Sequence, residues 1–174
     1  MVVFNASYIQ NFLKKSTMKF KNVEFVRGLG LIDDKFMLSF VSKVSEIRIE
    51  IATNIRIRDD KNVFLVFNDL YLDKNRYQIS VRKFRSQLQI EKTYLSVALE
   101  VVNQKLLNQN IHEIEVTEFG DIYIEFNDSM IIEILVDTHL EDSMLYTIIN
   151  NTHNTLMEHQ VKYSKGQISI DVKN

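Results

Sequence analysis

The chain has no cysteine, no proline and no tryptophan, and only four glycines in 174 residues. Without cysteine, disulfides, thiolate nucleophiles and cysteine-rich zinc sites are excluded, and a cytoplasmic setting is the expectation. Without proline, and with glycine confined to positions 28, 30, 120 and 166, no flexible linker or domain boundary is visible. No run approaches the roughly eighteen consecutive apolar residues of a membrane span. The opening Met1-Val2-Val3-Phe4 turns polar at once, so no signal peptide is expected. Walker loops, G-x-S-x-G elbows and H-E-x-x-H helices are missing as well. Gly28-Leu29-Gly30 is the only G-x-G, and Asp33 stands where a dinucleotide loop needs its third glycine. With Asp34 beside it, that segment would repel a pyrophosphate, so it reads as a turn.

What is present is an ordinary globular composition, 45% apolar and 25% charged, long enough for one domain over residues 1–174. Residues 5–16 read as a short helix with Tyr8, Phe12 and Leu13 on one stripe. From 45 to 58, isoleucines alternate with Arg48, Glu50, Arg56 and Arg58, the pattern of a half-buried strand bent near Ala52–Asn54. Val63–Phe67 reads as a buried strand, and 77–90 fits strand and helix equally. Over 92–109, Leu95, Leu99, Val102 and Leu106 form the stripe of an amphipathic helix, so Leu99→Ala is expected to cost about 2–5 kcal/mol. Strands follow near 111–117, 121–126 and 130–136, with turn residues Gly120-Asp121 and Asn127-Asp128-Ser129 between them. A last helix over 141–150, a polar loop and a terminal strand Gln167–Val172 complete the reading. The fold class expected is α+β, two antiparallel meanders with a central amphipathic helix.

Two stretches share a pattern, 22–51 and 110–136. Each holds an alternating strand, a turn with glycine, a strand ending at a phenylalanine (Phe40, Phe126) and an isoleucine-rich third strand. Either the chain is an internal pseudo-repeat with halves 18–90 and 92–174, or any two meanders share this alternation.

The segments IRIEIATNIRIRDDKNVFLVFNDLYL (47–72) and IHEIEVTEFGDIYIEFNDSMIIEILVDTHLEDSMLYTI (111–148) resemble two blocks of a group of small bacterial proteins of the toxin-immunity accessory type. In that group a strand pair ending in Ser/Asn-Asp-Leu/Ile-Tyr precedes a meander containing Gly-Asp. This chain departs from the pattern in lacking its tryptophans. The resemblance implies a fold type and an accessory role beside bacterial toxins, and it carries over no catalytic residues.

Charge is distributed unevenly. Residues 111–160 contain no lysine or arginine and eleven carboxylates, while the rest of the chain holds twelve acids and all 21 bases. Glu113, Glu115, Glu118, Asp121 and Glu125 are the candidate partner-binding residues, with Glu113, Glu115, Asp121 and Glu125 expected to project from one sheet face. Such a face either docks a basic protein or pairs with the protein's own Arg56, Arg58 and the cluster Arg76, Arg82, Lys83 and Arg85. The basic cluster, beside Tyr77 and Phe84, reads as a solvated face rather than a nucleic-acid site, given a net charge of −2. If extended, Asp137, His139 and Glu141 share a face that could hold a divalent ion with His153 or His159. The competing reading is a solvated turn capping the next helix. No cofactor and no structural metal are expected. A binding protein, an immunity or antitoxin-like inhibitor of a basic toxin, is the leading reading. A metal-dependent hydrolase centred on Asp137, His139 and Glu141, and a structural module forming homo-oligomers, are the alternatives.

Overall fold

The computed structural model describes residues 2–14, 18–27, 34–67, Asp69, 72–77, 90–136 and 142–174. Side chains alternate between core and solvent along most of its strands, the period-two signature of sheets with one buried face. Strands β2 (Lys19–Val26), β3 (Lys35–Val41) and β4 (Ser45–Ile51) form one antiparallel meander. Strands β7 (Ile111–Val116), β8 (Ile122–Phe126) and β9 (Ile131–Leu135) form another. They lie in different sheets. The larger sheet has the order β1-β12-β11-β10-β4-β3-β2, and the smaller one β6-β5-β9-β8-β7. Here β1 is Val2–Val3, β5 is Asn54–Arg58, β6 is Val63–Val66, β10 is Ser143–Thr152, β11 is Thr155–Ser164 and β12 is Gln167–Lys173. With two α-helices among the described residues, this is an α+β fold of two antiparallel sheets.

Each meander borrows strands from the other half of the chain. After β4 the backbone turns at Ala52–Thr53 and enters the other sheet as β5, which pairs with β9. The strand expected over 45–58 is thus two strands in two sheets. The Ala52 N–H donates to the Leu145 carbonyl at 3.0 Å and the Thr53 hydroxyl to the Leu135 carbonyl at 2.6 Å, which fixes this corner. In exchange, β10 pairs with β4.

Both halves also carry a helix that seals an edge of the opposite meander. Helix α1 (Ala6–Lys14) packs on β7, and the Gln10 side chain accepts the Val116 N–H at 2.9 Å. Helix α2 (Tyr94–Leu106) packs on β2 and β6, and the Asn103 amide both accepts from the Val23 N–H (2.8 Å) and donates to its carbonyl (2.9 Å). Edge strands leave backbone groups unpaired, and these side chains supply partners there. The two meanders meet at the starts of β2 and β7, where Phe20 N–H donates to Gln109, Asn108 N–H to Phe20 and Ile111 N–H to Met18. At this junction the fully buried Phe20 ring lies edge-on to Phe40 (6.1 Å) and Phe126 (6.0 Å), one from each meander.

Four expectations need correction. Residues 143–152 are strand, not helix. Leu145, Tyr146, Thr147 and Ile148 are all buried because β10 lies between β4 and β11, and an unbroken buried run has no period to separate strand from helix. The polar loop expected after it is β11, whose His159 and Val161 point inward between outward Glu158, Gln160 and Lys162. His153 and Asn154, both at positive φ, make the tight hairpin turn. In α1, Asn5 caps the helix by accepting the Tyr8 N–H at 2.9 Å, but the buried face is Ile9, Phe12 and Leu13, with Tyr8 exposed. On α2 the buried residues are Leu95, Ala98, Val102 and Leu106, and Leu99 is only half-buried. Of the ambiguous segment 77–90, residues 78–89 lie outside the described residues.

Phe20→Ala is expected to cost about 3–5 kcal/mol, because it empties the joint between both sheets. Leu95→Ala should cost about 2–5 kcal/mol and more than Leu99→Ala. Urea denaturation measures both, and a Phe20→Ala loss below about 1 kcal/mol would contradict this packing.

Candidate docking surface

On the smaller sheet, strand register places the charged residues in two rows on the outer face. One row runs Glu115, Tyr123, Glu133, Arg56 and Val66, and the next Glu113, Glu125, Ile131 and Arg58. Opposite them, Ile55, Ile57, Ile114, Ile122, Ile124, Ile132 and Ile134 fill the core. Acids therefore occupy the β7–β8 side of the outer face and bases the β5 side.

The middle of the first row is compensated. Glu133 is 2% exposed and accepts hydrogen bonds from Arg56 Nε and from Arg58 Nε, the latter at 2.9 Å. Burial alone pushes the Glu133 carboxyl up, but the two guanidinium donors and their charges outweigh it and hold the group below its ordinary range. Burial, aided by the carboxylates of Asp121, Glu133 and Glu115, pushes the neighbouring Tyr123 hydroxyl above its ordinary value.

Among the described residues, the β7–β8 side has no such compensation. Glu113 faces Glu125 directly across the two strands, and Glu115 follows on the same face. Among the described residues, Glu113, Glu115, Glu118 and Glu125 accept no hydrogen bond and form no ion pair. Like charges directly opposite in a sheet destabilise it. Elsewhere the pattern is the reverse. On the larger sheet Lys21 pairs with Glu46, Lys35 with Glu50, Lys162 with Asp171 and Lys173 with Glu158.

Of the five candidate residues, three lie together on this face and Glu118 sits in the turn beside it. Asp121 does not belong with them. Its carboxylate accepts the Val136 N–H at 2.7 Å and meets the Thr117 hydroxyl at 3.4 Å, so it pins the β7–β8 turn. Alternation placed Asp121 on the face because the turn was read as part of the strand.

The suggested metal ligands Asp137, His139 and Glu141 lie outside the described residues. Their suggested helpers are not close to each other. His159 is fully buried, with Nε2 2.8 Å from the Tyr8 hydroxyl and its ring 4.2 Å from Phe12, whereas His153 sits at the tip of the β10–β11 hairpin. That tip is a ten-residue strand away from Asp142. Among the described residues no three His, Asp or Glu side chains converge on a metal position. Arg82, Lys83 and Arg85 are likewise outside the described residues, and Arg76 lies over the Tyr94 ring at 4.7 Å and donates to its hydroxyl at 2.7 Å. Among the described residues no helix is long and apolar enough to cross a membrane.

The residue that sequence reasoning passed over is Phe119, a large apolar side chain in the turn between β7 and β8. Its position in the turn Glu118–Gly120, outside the alternating strands, is the signal the sequence offers. Comparison of the chain with family models, with curated proteins and with solved structures finds no match.

Glu133→Gln is expected to lower stability by about 1–3 kcal/mol near neutral pH, by weakening two charge-assisted hydrogen bonds. Because the folded carboxyl is lowered, its contribution is complete above the unfolded value of about 4.3 and is lost as pH falls through the folded value. The wild-type protein should therefore lose more stability on acidification than Glu133→Gln. Urea midpoints near neutral pH and well below pH 4 measure this, and parallel acid losses in the two proteins would contradict it.

Proposed function

We propose that this chain is a non-enzymatic binding protein that docks a basic protein partner through the β7–β8 side of its outer face. The observation that carries the reading is the pair Glu113 and Glu125, set directly opposite each other beside Glu115 and without an ion-pair partner among the described residues. A fold that pairs Glu46, Glu50, Glu133, Glu158 and Asp171 of its sheets with lysine or arginine keeps Glu113 and Glu125 at a cost to its own stability. Carboxylates arranged in this way attract a basic surface from a distance and discriminate against acidic ones.

The form of partner we propose is a bacterial toxin, with this chain as its immunity or antitoxin-like inhibitor. Two supports converge on it, the sequence resemblance and the chemistry of nucleases. An enzyme that grips a polyanionic nucleic acid carries a basic site, and an acidic protein face is the natural cover for it. The duplication read from the sequence belongs to the same proposal. Each half, 18–90 and 92–174, would be one three-stranded meander and a hairpin lent to the other half's sheet, with α2 as the central helix that joins them.

The test is co-expression with the products of neighbouring reading frames, followed by association kinetics on any complex that co-purifies. Glu113→Lys with Glu115→Lys should slow association about tenfold or more at low ionic strength and flatten its salt dependence. Dissociation should change less, and stability should hold or rise. Lost stability with an unchanged association rate would show that the carboxylates serve the fold, and would remove the basis for docking.

A further inference from the structure

The β7–β8 turn presents a side chain that the fold does not use. Phe119 is 76% exposed, the most exposed large apolar side chain among the described residues. Its backbone is held from several directions. The Thr117 N–H donates to the Asp121 carbonyl at 2.9 Å, the Gly120 N–H to the Thr117 carbonyl at 3.0 Å and the Asp121 N–H to the Thr117 hydroxyl at 3.1 Å. The buried Tyr146 hydroxyl reaches up from β10 and donates to the Gly120 carbonyl at 3.0 Å. Gly120 itself has φ +88°, the left-handed conformation that closes a three-residue hairpin loop, and an added Cβ would lie 3.1 Å from Ile168 Cδ1. A turn pinned this firmly holds its aromatic ring in water by construction rather than by slack.

Beside the ring lies a cleft of about 610 Å³ between this turn and the β1–β12 edge. Its apolar lining comes from Val3, Phe4, Val136, Tyr163 and Ile168. Among the described residues that line it, the charged ones are Glu118 and Asp121, with no lysine or arginine. An exposed aromatic on a rigid turn, over an apolar cleft with an acidic rim, has the makeup of a binding hot spot. A preorganised ring also loses little conformational freedom on binding.

We infer that Phe119 and this cleft anchor the docking surface by taking an apolar side chain of a basic protein segment, with a flanking arginine lying over the Phe119 ring and pairing with Glu118. The inference rests on the docking reading for the partner's charge, and it adds where the contact is centred and what chemistry fills it. Arginine suits both contacts, since its guanidinium stacks on an aromatic face and bonds a carboxylate with a planar fork.

A short fluorescein-labelled peptide of alternating arginine and leucine is the probe, with a glutamate–leucine peptide as control and anisotropy as the readout. The arginine peptide should bind the intact chain and the control should not. Phe119→Ser and Glu118→Lys should each weaken binding about tenfold or more, as loss of an interface anchor does. Phe119→Ser should leave the melting temperature within about 2 °C, because the ring is outside the core. Binding that falls with Glu113→Lys and Glu115→Lys but ignores Phe119→Ser would overturn the anchor while leaving docking by the acidic face intact. Binding lost with Phe119→Ser alone supports the anchor and counts against the wider face. Absence of peptide binding, or a self-associating chain that Phe119→Ser makes monomeric, would also overturn the inference, the latter by assigning the cleft to a second copy.

Discussion

The exchange of strands between the two halves is the constraint on which the rest of the molecule depends. Neither sheet can be completed by one half. The larger sheet needs β10 beside β4, and the smaller needs β5 beside β9. Phe20, wedged between Phe40 and Phe126, fills the joint where the halves meet. Asn103 and Gln10 seal the edges of β2 and β7 from helices of the opposite half. Burial is therefore shared, and the buried apolar residues form one cluster that draws on both sheets and both helices.

That cooperation lets the outer face carry an arrangement that a marginal sheet could not. Domain stability is a small difference between large terms, so a repulsive pair must be supported by packing elsewhere. Isoleucines behind Glu113, Glu115 and Glu125 provide that support locally, with Ile114, Ile122 and Ile124 all buried. The compensated centre at Glu133 shares one surface with Glu113 and Glu125, which have no ion-pair partner among the described residues. Arg58 is spent on the buried Glu133, and Ile131 separates it from Glu125 along the row. The acids thus keep a field directed at solvent, while the pinned turn next to them holds Phe119 at the end of that field.

Much of this was legible in the sequence, and what was not has physical reasons. The strands of the second meander follow from alternation, because one face is apolar and the other charged. The pattern shared by 22–51 and 110–136 located both meanders, yet it gave no hint that each would pair with a strand from the other half. Partner choice depends on which sheet the chain enters after a turn, and the bend expected near Ala52–Asn54 does not by itself say that β5 leaves the sheet of β4. β10 was misread because its run of buried residues lacks a period, and β11 because its inward residues include a histidine. His159 counts as polar by composition but is buried against Phe12 and hydrogen-bonded by Tyr8. At the site, the charge bias found Glu113, Glu115 and Glu125, whereas telling Asp121 apart from them required its contact with the Val136 N–H, a partner distant in sequence.

Whether the acidic residues are uncompensated can be measured on the protein alone, without any partner. The direct experiment is the stability of the triple variant Glu113→Gln, Glu115→Gln and Glu125→Gln against wild type, as a function of salt. Repulsion among exposed charges is relieved by neutralisation and screened by ions, with a Debye length of about 10 Å at 0.1 M salt. The variant should therefore be more stable than wild type at low ionic strength, with the difference fading as salt is added. A variant less stable than wild type at low salt would mean that these carboxylates are paired within the fold, and would contradict a surface kept for a basic partner.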